Sequence, residues 1–224
     1  MSTGVSVSDI NWAFNERPLK QDLINHIIEI KEYYRKLNLR FWWWVYPRGQ
    51  SSETTIILQK AGLRLFAKVP CMAADLDNSF LNYKLTGNIK VVSVKTKSDL
   101  IIWKDISFNG FEMPSHTKEQ YGSFVAKFNL GENAPQRLFL AYFHDKPVAT
   151  SLLFMHEDTA GIYYVSTLPD YRNKGCGLKV TQAAMQSAKE SGFKDVILQA
   201  TSLGARVYVH AGFKTYCQAE IYKI

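Results

Sequence analysis

Arg172, Asn173, Lys174, Gly175, Cys176 and Gly177 stand together in the stretch GIYYVSTLPDYRNKGCGLKVTQAAMQSAKESG, residues 161–192. An apolar, β-branched and aromatic run, residues 162–168, reads as a strand. Pro169 and Asp170 make a turn, the basic and glycine-punctuated residues 172–177 a loop, and Leu178, Thr181, Ala184, Met185 and Ala188 recur at helical spacing up to the stop at Gly192. A strand feeding a glycine loop that opens a helix is a device for holding phosphate. The first N–H groups of a helix have no internal partner and carry the positive end of its dipole. Glycine lets the phosphate reach the backbone, while Arg172 and Lys174 add full charge. A P-loop would need G-x-x-x-x-G-K-[ST], and Gly177-Leu178-Lys179-Val180 fails both spacing and hydroxyl. A dinucleotide fingerprint would need a third glycine where Val180 stands.

The elements that must hold this loop can be read along the chain. Pro18 suits the first turn of a helix carrying Leu19, Leu23, Ile27, Ile30, Tyr34 and Leu37. Residues 39–46, with Trp42, Trp43 and Trp44, read as a strand buried on both faces. A short helix over residues 54–61 is closed by Gly62, one or two strands follow over 63–76, and residues 77–87 form a connector. The pattern then restarts. It gives a strand at 89–94, a helix capped by Ser98 and running to 106, a loop at 108–114 and a helix at 116–128. Strands at 138–143 and 148–155 flank the turn His144-Asp145-Lys146-Pro147, and residues 156–160 turn into the strand of the central stretch. The tail reads strand 196–200, helix 202–211 stopped by Gly212, and a strand from 214 to the end.

R-N-K-G-C-G, with Pro169 three residues before it, resembles the acyl-CoA pyrophosphate loop of the GNAT family of N-acetyltransferases, usually written Q/R-x-x-G-x-G/A. The segment Tyr208-Val209-His210-Ala211-Gly212-Phe213 resembles the family's Y-x-x-x-G-F, and the order of elements from Ile89 to Ile224 is the family's order. Thr201 stands where many members carry Asn, a difference that bears on the helix cap. The resemblance implies an α/β fold, a mixed twisted β-sheet flanked by helices, with acetyl-CoA as co-substrate. It implies that the strand Val165-Ser166-Thr167 splays from its neighbour to take the pantetheine arm, and that the pyrophosphate sits on N–H groups from Arg172 through Leu178. Tyr208 becomes the candidate proton donor to the departing thiolate, since a phenol of ordinary pKa ~10 keeps its proton at neutral pH. Tyr163, Tyr164 and Tyr171 are set aside because side-chain alternation or the turn accounts for them.

No base is assigned. His156, Glu157, Asp158 and Glu112 fall in turns or loops, and a chain of waters could carry the proton equally well. Cys176, at a helix N-terminus beside Lys174, is placed for a lowered thiol pKa. It is expected to lie at the surface of the loop as a spectator, because attack in this family is direct.

The first half resembles a truncated, divergent copy of the second. Shifted by 150 positions, Ala211-Gly212-Phe213-Lys214 falls on Ala61-Gly62-Leu63-Arg64, and Tyr216 on Phe66. Tyr208 maps to Leu58 and the glycine loop to Asn25, His26 and Ile27, so the copy lacks working parts. The expected organisation is a partial, degenerate unit at residues 1–80 and a complete GNAT domain at 87–224, the first covering the sheet or shaping the acceptor cleft.

Composition bounds the rest. The chain of 224 residues is 46% hydrophobic and 13% aromatic, ample for a packed interior. The net charge of +7 suits anionic partners such as coenzyme A, but no dense Lys/Arg run or RNA-binding signature selects nucleic acid. The first residues lack the basic start and apolar core of a signal peptide, and no apolar run is long enough to span a membrane. Cys71, Cys176 and Cys217 are odd in number and show no metal-ligand pattern. The expectation is a cytoplasmic protein with reduced thiols and no metal, transferring an acetyl group to a small-molecule or peptide amine. The alternative is a non-catalytic module that senses CoA. The acceptor and the oligomeric state are not written in the sequence.

Overall fold

The computed structural model describes residues 1–78, 88–131 and 133–224, which close into two units, Met1–Pro70 with Cys217–Ile224, and Cys71–Tyr216. Of the expected connector, residues 79–87 lie outside the described residues.

In the first unit a strand absent from the sequence reading, β1 (Trp12–Asn15), runs parallel to β2 (Trp42–Val45). Asn11 anchors its start, its buried amide donating to the carbonyls of Val5, Val7 and Arg40. Helix α1 (Ile24–Lys36) begins later than Pro18 suggested. Leu19 is buried with its N–H on Thr54 Oγ1, which docks it against α2 (Ser52–Lys60) rather than in a helical turn. Trp43 and Val45 are buried under the two helices, whereas Trp42 and Trp44 are only half-buried, so β2 does not have the two buried faces expected of it. The last residues of the chain pair antiparallel with it, Trp43 opposite Tyr222 and Val45 opposite Glu220. Arg64–Asp75 is one strand, β3, which continues from this unit into the other.

The second unit starts with β4 (Ile89–Ser93) and α3 (Lys97–Gly110). Thr96, not Ser98, caps α3: its hydroxyl accepts from Asp99 N while the Asp99 carboxylate accepts from Thr96 N. The helix runs through Phe108, whose buried ring holds the first part of the expected loop in helical form. After α4 (Lys118–Val125) come β5 (Gln136–Phe143) and β6 (Lys146–His156), joined by His144 and Asp145. Both of these are left-handed, at φ 46° and 61°, as a tight two-residue hairpin requires. The unit is completed by β7 (Thr159–Thr167), α5 (Cys176–Glu190), β8 (Asp195–Gln199), α6 (Ala205–His210) and the start of β9 (Lys214–Lys223). Its strands lie in the order β3-β8-β7-β6-β5-β4, antiparallel except for β7 and β8. Met185 and Ala184 of α5 close over Leu153, Val148 and Leu198, and Trp103 of α3 is fully buried with its indole N–H on the Ser151 carbonyl.

Two helix ends 150 positions apart close in the same way. Leu63 N donates to the Leu58 carbonyl at 2.9 Å and Phe213 N to the Tyr208 carbonyl at 3.0 Å, each just after a left-handed glycine, Gly62 or Gly212. The strands that follow, β3 and β9, are exchanged: β9 pairs with β2, and β3 pairs with β8 through Cys71↔Gln199 to Asp75↔Asp195. Each unit is therefore finished by a strand from the other half of the sequence.

Candidate functional site

Strand β7 carries the site on its second half. Its parallel pairing with β8 is confined to Ala160↔Val196 and Gly161↔Ile197. On its other side the pairing with β6 jumps register, Leu152 opposite Tyr163 but Thr150 opposite Ser166, so Tyr164 and Val165 share one partner position. That extra residue is a β-bulge, and Tyr164 within it is left-handed at φ 51°. Val165 packs on the core beneath α5. Ser166 is buried with its hydroxyl 2.9 Å from that of Thr150, and a Cβ at Gly110 would come within 2.7 Å of it. The carbonyl of Thr167 accepts from Arg172 Nε at 3.3 Å.

A single 3-10 turn, Pro169–Tyr171, leads into the loop. Asn173 and Gly175 are both left-handed, at φ 60° and 82°. Gly175 is the N-cap of α5, no side chain caps that helix, and its first turn contains no acid. Its mouth consequently presents backbone N–H groups and the positive end of the dipole, with no acidic side chain in the helix's own first turn. Gly177 lets the first turn approach β7, because a Cβ there would already sit 3.3 Å from Thr167 Oγ1. Leu178 turns inward and is buried.

The cations of the loop are not equivalent. Arg172 is committed to protein: its Nη2 donates to Glu112 Oε2 at 2.8 Å and to the Gly110 carbonyl at 3.1 Å. Lys174 is exposed and stands over the Tyr171 ring at 4.9 Å, which Lys146 also approaches at 5.2 Å. Cys176 corrects an expectation. It is 1% exposed and part of the core, not surface, and burial raises its thiol pKa against the smaller opposing pull of Lys174.

Tyr208 lies on α6, which packs on α5. Its ring is buried edge-on to Phe213 at 5.9 Å, against Gly204, where a Cβ would come within 2.9 Å. The hydroxyl has no hydrogen-bond partner among the described residues, and burial pushes its pKa up to about 12. Tyr208, Cys176 and Leu178 belong to one core cluster, with Val165 packed against it.

The candidate bases separate from this centre. Glu157 and Asp158 form the β6–β7 turn after His156, at the opposite end of β7 from the loop and about 20 Å along the strand from Val165 at ~3.3 Å per residue. Glu112 is held by Arg172. Among the described residues no group of three or more His, Cys, Asp or Glu could hold a metal, and no helix is long and apolar enough to cross a membrane. The bulge at Tyr164 and the Arg172–Glu112 pair had no signal in the sequence reading.

Comparison with known proteins agrees with this geometry at the level of fold. A GCN5-related N-acetyltransferase from Kribbella flavida superposes with a TM-score of 0.75 at 17% identity, over 97% of this chain and 82% of that one. One from Sphaerobacter thermophilus gives 0.69 at 17% identity, over 92% of this chain and 69% of that one. A tandem GNAT protein from the clavulanic acid biosynthesis pathway gives 0.61 at 11% identity, over 92% and 71%. No curated protein matches the chain. The family model described as Acetyltransferase (GNAT) family matches residues 102–213, half the chain, from α3 through α6. The chain belongs to the GNAT acetyltransferase family.

Proposed function

We propose that the protein is an acetyl-CoA-dependent N-acetyltransferase that passes an acetyl group to an amine by direct attack on the thioester. The observation that carries this reading is the uncapped mouth of α5 at Gly175, set directly after a strand whose pairing with β8 ends at Gly161. Main-chain amides from Arg172 through Leu178 would hold the pyrophosphate, and Lys174 is an exposed cation beside them. Main-chain groups of Val165, Ser166 and Thr167 would hold the pantetheine arm. Acetyl-CoA brings an activated acyl carbon on a leaving thiolate.

The acceptor nitrogen must lose its extra proton to solvent before it can attack. A C–N bond then forms as the C–S bond breaks, the sulfur leaves with a negative charge, and the nitrogen sheds its second proton to solvent, from which the released thiolate can regain one. Tyr208 holds a proton for that sulfur. At about 12, its phenol is a far weaker acid than an ordinary thiol at ~8.5, so its contribution is a hydrogen bond to the developing thiolate rather than outright loss of the proton.

The first unit is proposed to be a truncated copy of the second half of the GNAT fold. Support comes from the two matching helix ends and the exchanged strands, and the neighbour described as a tandem GNAT offers a precedent for doubling. Its counterpart of Tyr208 is the buried Leu58, which suits structural support rather than chemistry.

The test is thermal unfolding of the full chain with and without acetyl-CoA, followed by free-thiol release with a panel of amines. A raised midpoint and amine-dependent release are expected. A raised midpoint with no release on any amine would leave a CoA-binding module instead.

A further inference from the structure

The bulge in β7 also decides which side chains face which way. Ile162 and Val165 both turn to the core under α5, so the two residues between them, Tyr163 and Tyr164, fall together on the opposite face. Regular alternation would have separated them. Tyr164, left-handed where a bulky residue rarely is, has its ring among aromatics of α3, α4 and the residues after them. Trp103 lies at 5.6 Å, Phe111 at 6.1 Å, Phe128 at 6.3 Å and Phe124 at 6.5 Å.

Tyr163 lies back over Gly161, where a Cβ would come within 2.6 Å of its ring and hydroxyl. Gly161 is also the last residue of β7 with a partner in β8, so the Tyr163 ring marks the point where the strands part. Tyr163 is 37% exposed and Phe111 39%, so rings at both ends of this face meet solvent.

We infer that this face is the acceptor subsite, that it takes a primary amine carried on a flat aromatic body, and that Tyr163 is a specificity-determining residue for it. The inference rests on the acyl-transfer reading and supplies its missing substrate class. The rings of this face that meet solvent, Tyr163 and Phe111 with the half-buried Tyr164, Phe124 and Phe128, pair well with an aryl group edge-on or offset, while Trp103 backs them from the core. A sugar would leave its hydroxyls unpaired against them, and a polyamine brings no flat apolar body to stack on them. The carboxylate next to Phe111, that of Glu112, is already held by Arg172 and is not free for a second ammonium.

The experiment compares phenethylamine, spermidine and glucosamine as acceptors with the full chain and acetyl-CoA, reading thiol release. Acetyl-CoA affinity is measured separately by calorimetry. The expected result is a kcat/KM for phenethylamine at least ~10-fold above the other two, and a KM raised ~10-fold in Tyr163→Ala at unchanged acetyl-CoA affinity. Tyr163→Phe, which keeps the ring, should retain the wild-type KM, and Gly161→Ala, which pushes the ring aside, should behave like Tyr163→Ala. Preference for spermidine or glucosamine, or a Tyr163→Ala KM equal to wild type, would overturn the inference and leave acetyl transfer standing. A chain that neither binds nor consumes acetyl-CoA overturns both.

Discussion

Arg172 reaches back from the glycine loop to Glu112, Nη2 to Oε2 at 2.8 Å, and on the way donates to the carbonyls of Gly110 and Thr167. The guanidinium therefore ties the end of α3 to the end of β7, and it is not a free cation awaiting phosphate. Both partners of the ion pair are substantially exposed, so the pair itself contributes about 0–1 kcal/mol. Glu112→Gln should leave the unfolding midpoint in urea nearly unchanged. Arg172→Ala should weaken acetyl-CoA by less than ~10-fold in calorimetry, because the grip comes from main-chain amides. A loss beyond ~100-fold would mean that Arg172 leaves Glu112 for the ligand.

Gly175 is the sharper test of the loop. At φ 82° an alanine would be strained by about 1–2 kcal/mol, and relief would come from rotating the first peptide of α5 out of position. Gly175→Ala should lower stability by roughly that amount in chemical denaturation and weaken acetyl-CoA by more than Arg172→Ala does. Equal affinity in wild type and Gly175→Ala would detach the α5 mouth from ligand binding.

What the sequence disclosed and what it hid differ in range. The glycine loop and the Tyr208 helix were legible because their chemistry is local: a left-handed glycine, an uncapped helix start and a glycine stop each act within a few residues. The bulge was not, because 162–165 is apolar or aromatic throughout, and only register against β6 reveals that Tyr163 and Tyr164 share a face. The exchange of β3 and β9 is equally nonlocal, since either strand's pattern would fit either partner. Strand β1 is four residues long, too short to show a period. The burial of Cys176, by contrast, does have a local signal. Cys176, Val180, Ala184 and Ala188 follow at four-residue intervals, all buried, which marks the thiol as the first rung of the core stripe.

That burial predicts the reactivity of the three thiols. Cys71 and Cys217 are partly exposed, whereas Cys176 is covered and its thiol pKa is raised chiefly by desolvation. Brief alkylation of the native protein at pH 8 should label Cys71 and Cys217 and spare Cys176, read by peptide mass spectrometry. Mass spectra taken during turnover should show no acetyl group on Cys176. A stable adduct there would replace direct transfer with a covalent route.

Tyr208 is buried on α6. Its hydroxyl forms no hydrogen bond among the described residues, so Tyr208→Phe removes a buried polar group without stranding a partner. Stability at neutral pH should hold or rise slightly, while turnover falls by ~10²-fold with acetyl-CoA affinity unchanged. The folded phenol, at about 12, lies above its ordinary value of 10.0. The stability linked to it is complete below pH 10 and drains away as pH rises toward 12, because the unfolded chain releases that proton first. Over that window the wild type should lose about 2–3 kcal/mol that Tyr208→Phe keeps, measurable as urea midpoints that lie close together at neutral pH and diverge, the variant ahead, as pH rises. An alkaline limb in the kcat profile below pH 10 that survives in Tyr208→Phe belongs to another group, whereas full turnover in the phenylalanine variant removes this tyrosine from the reaction.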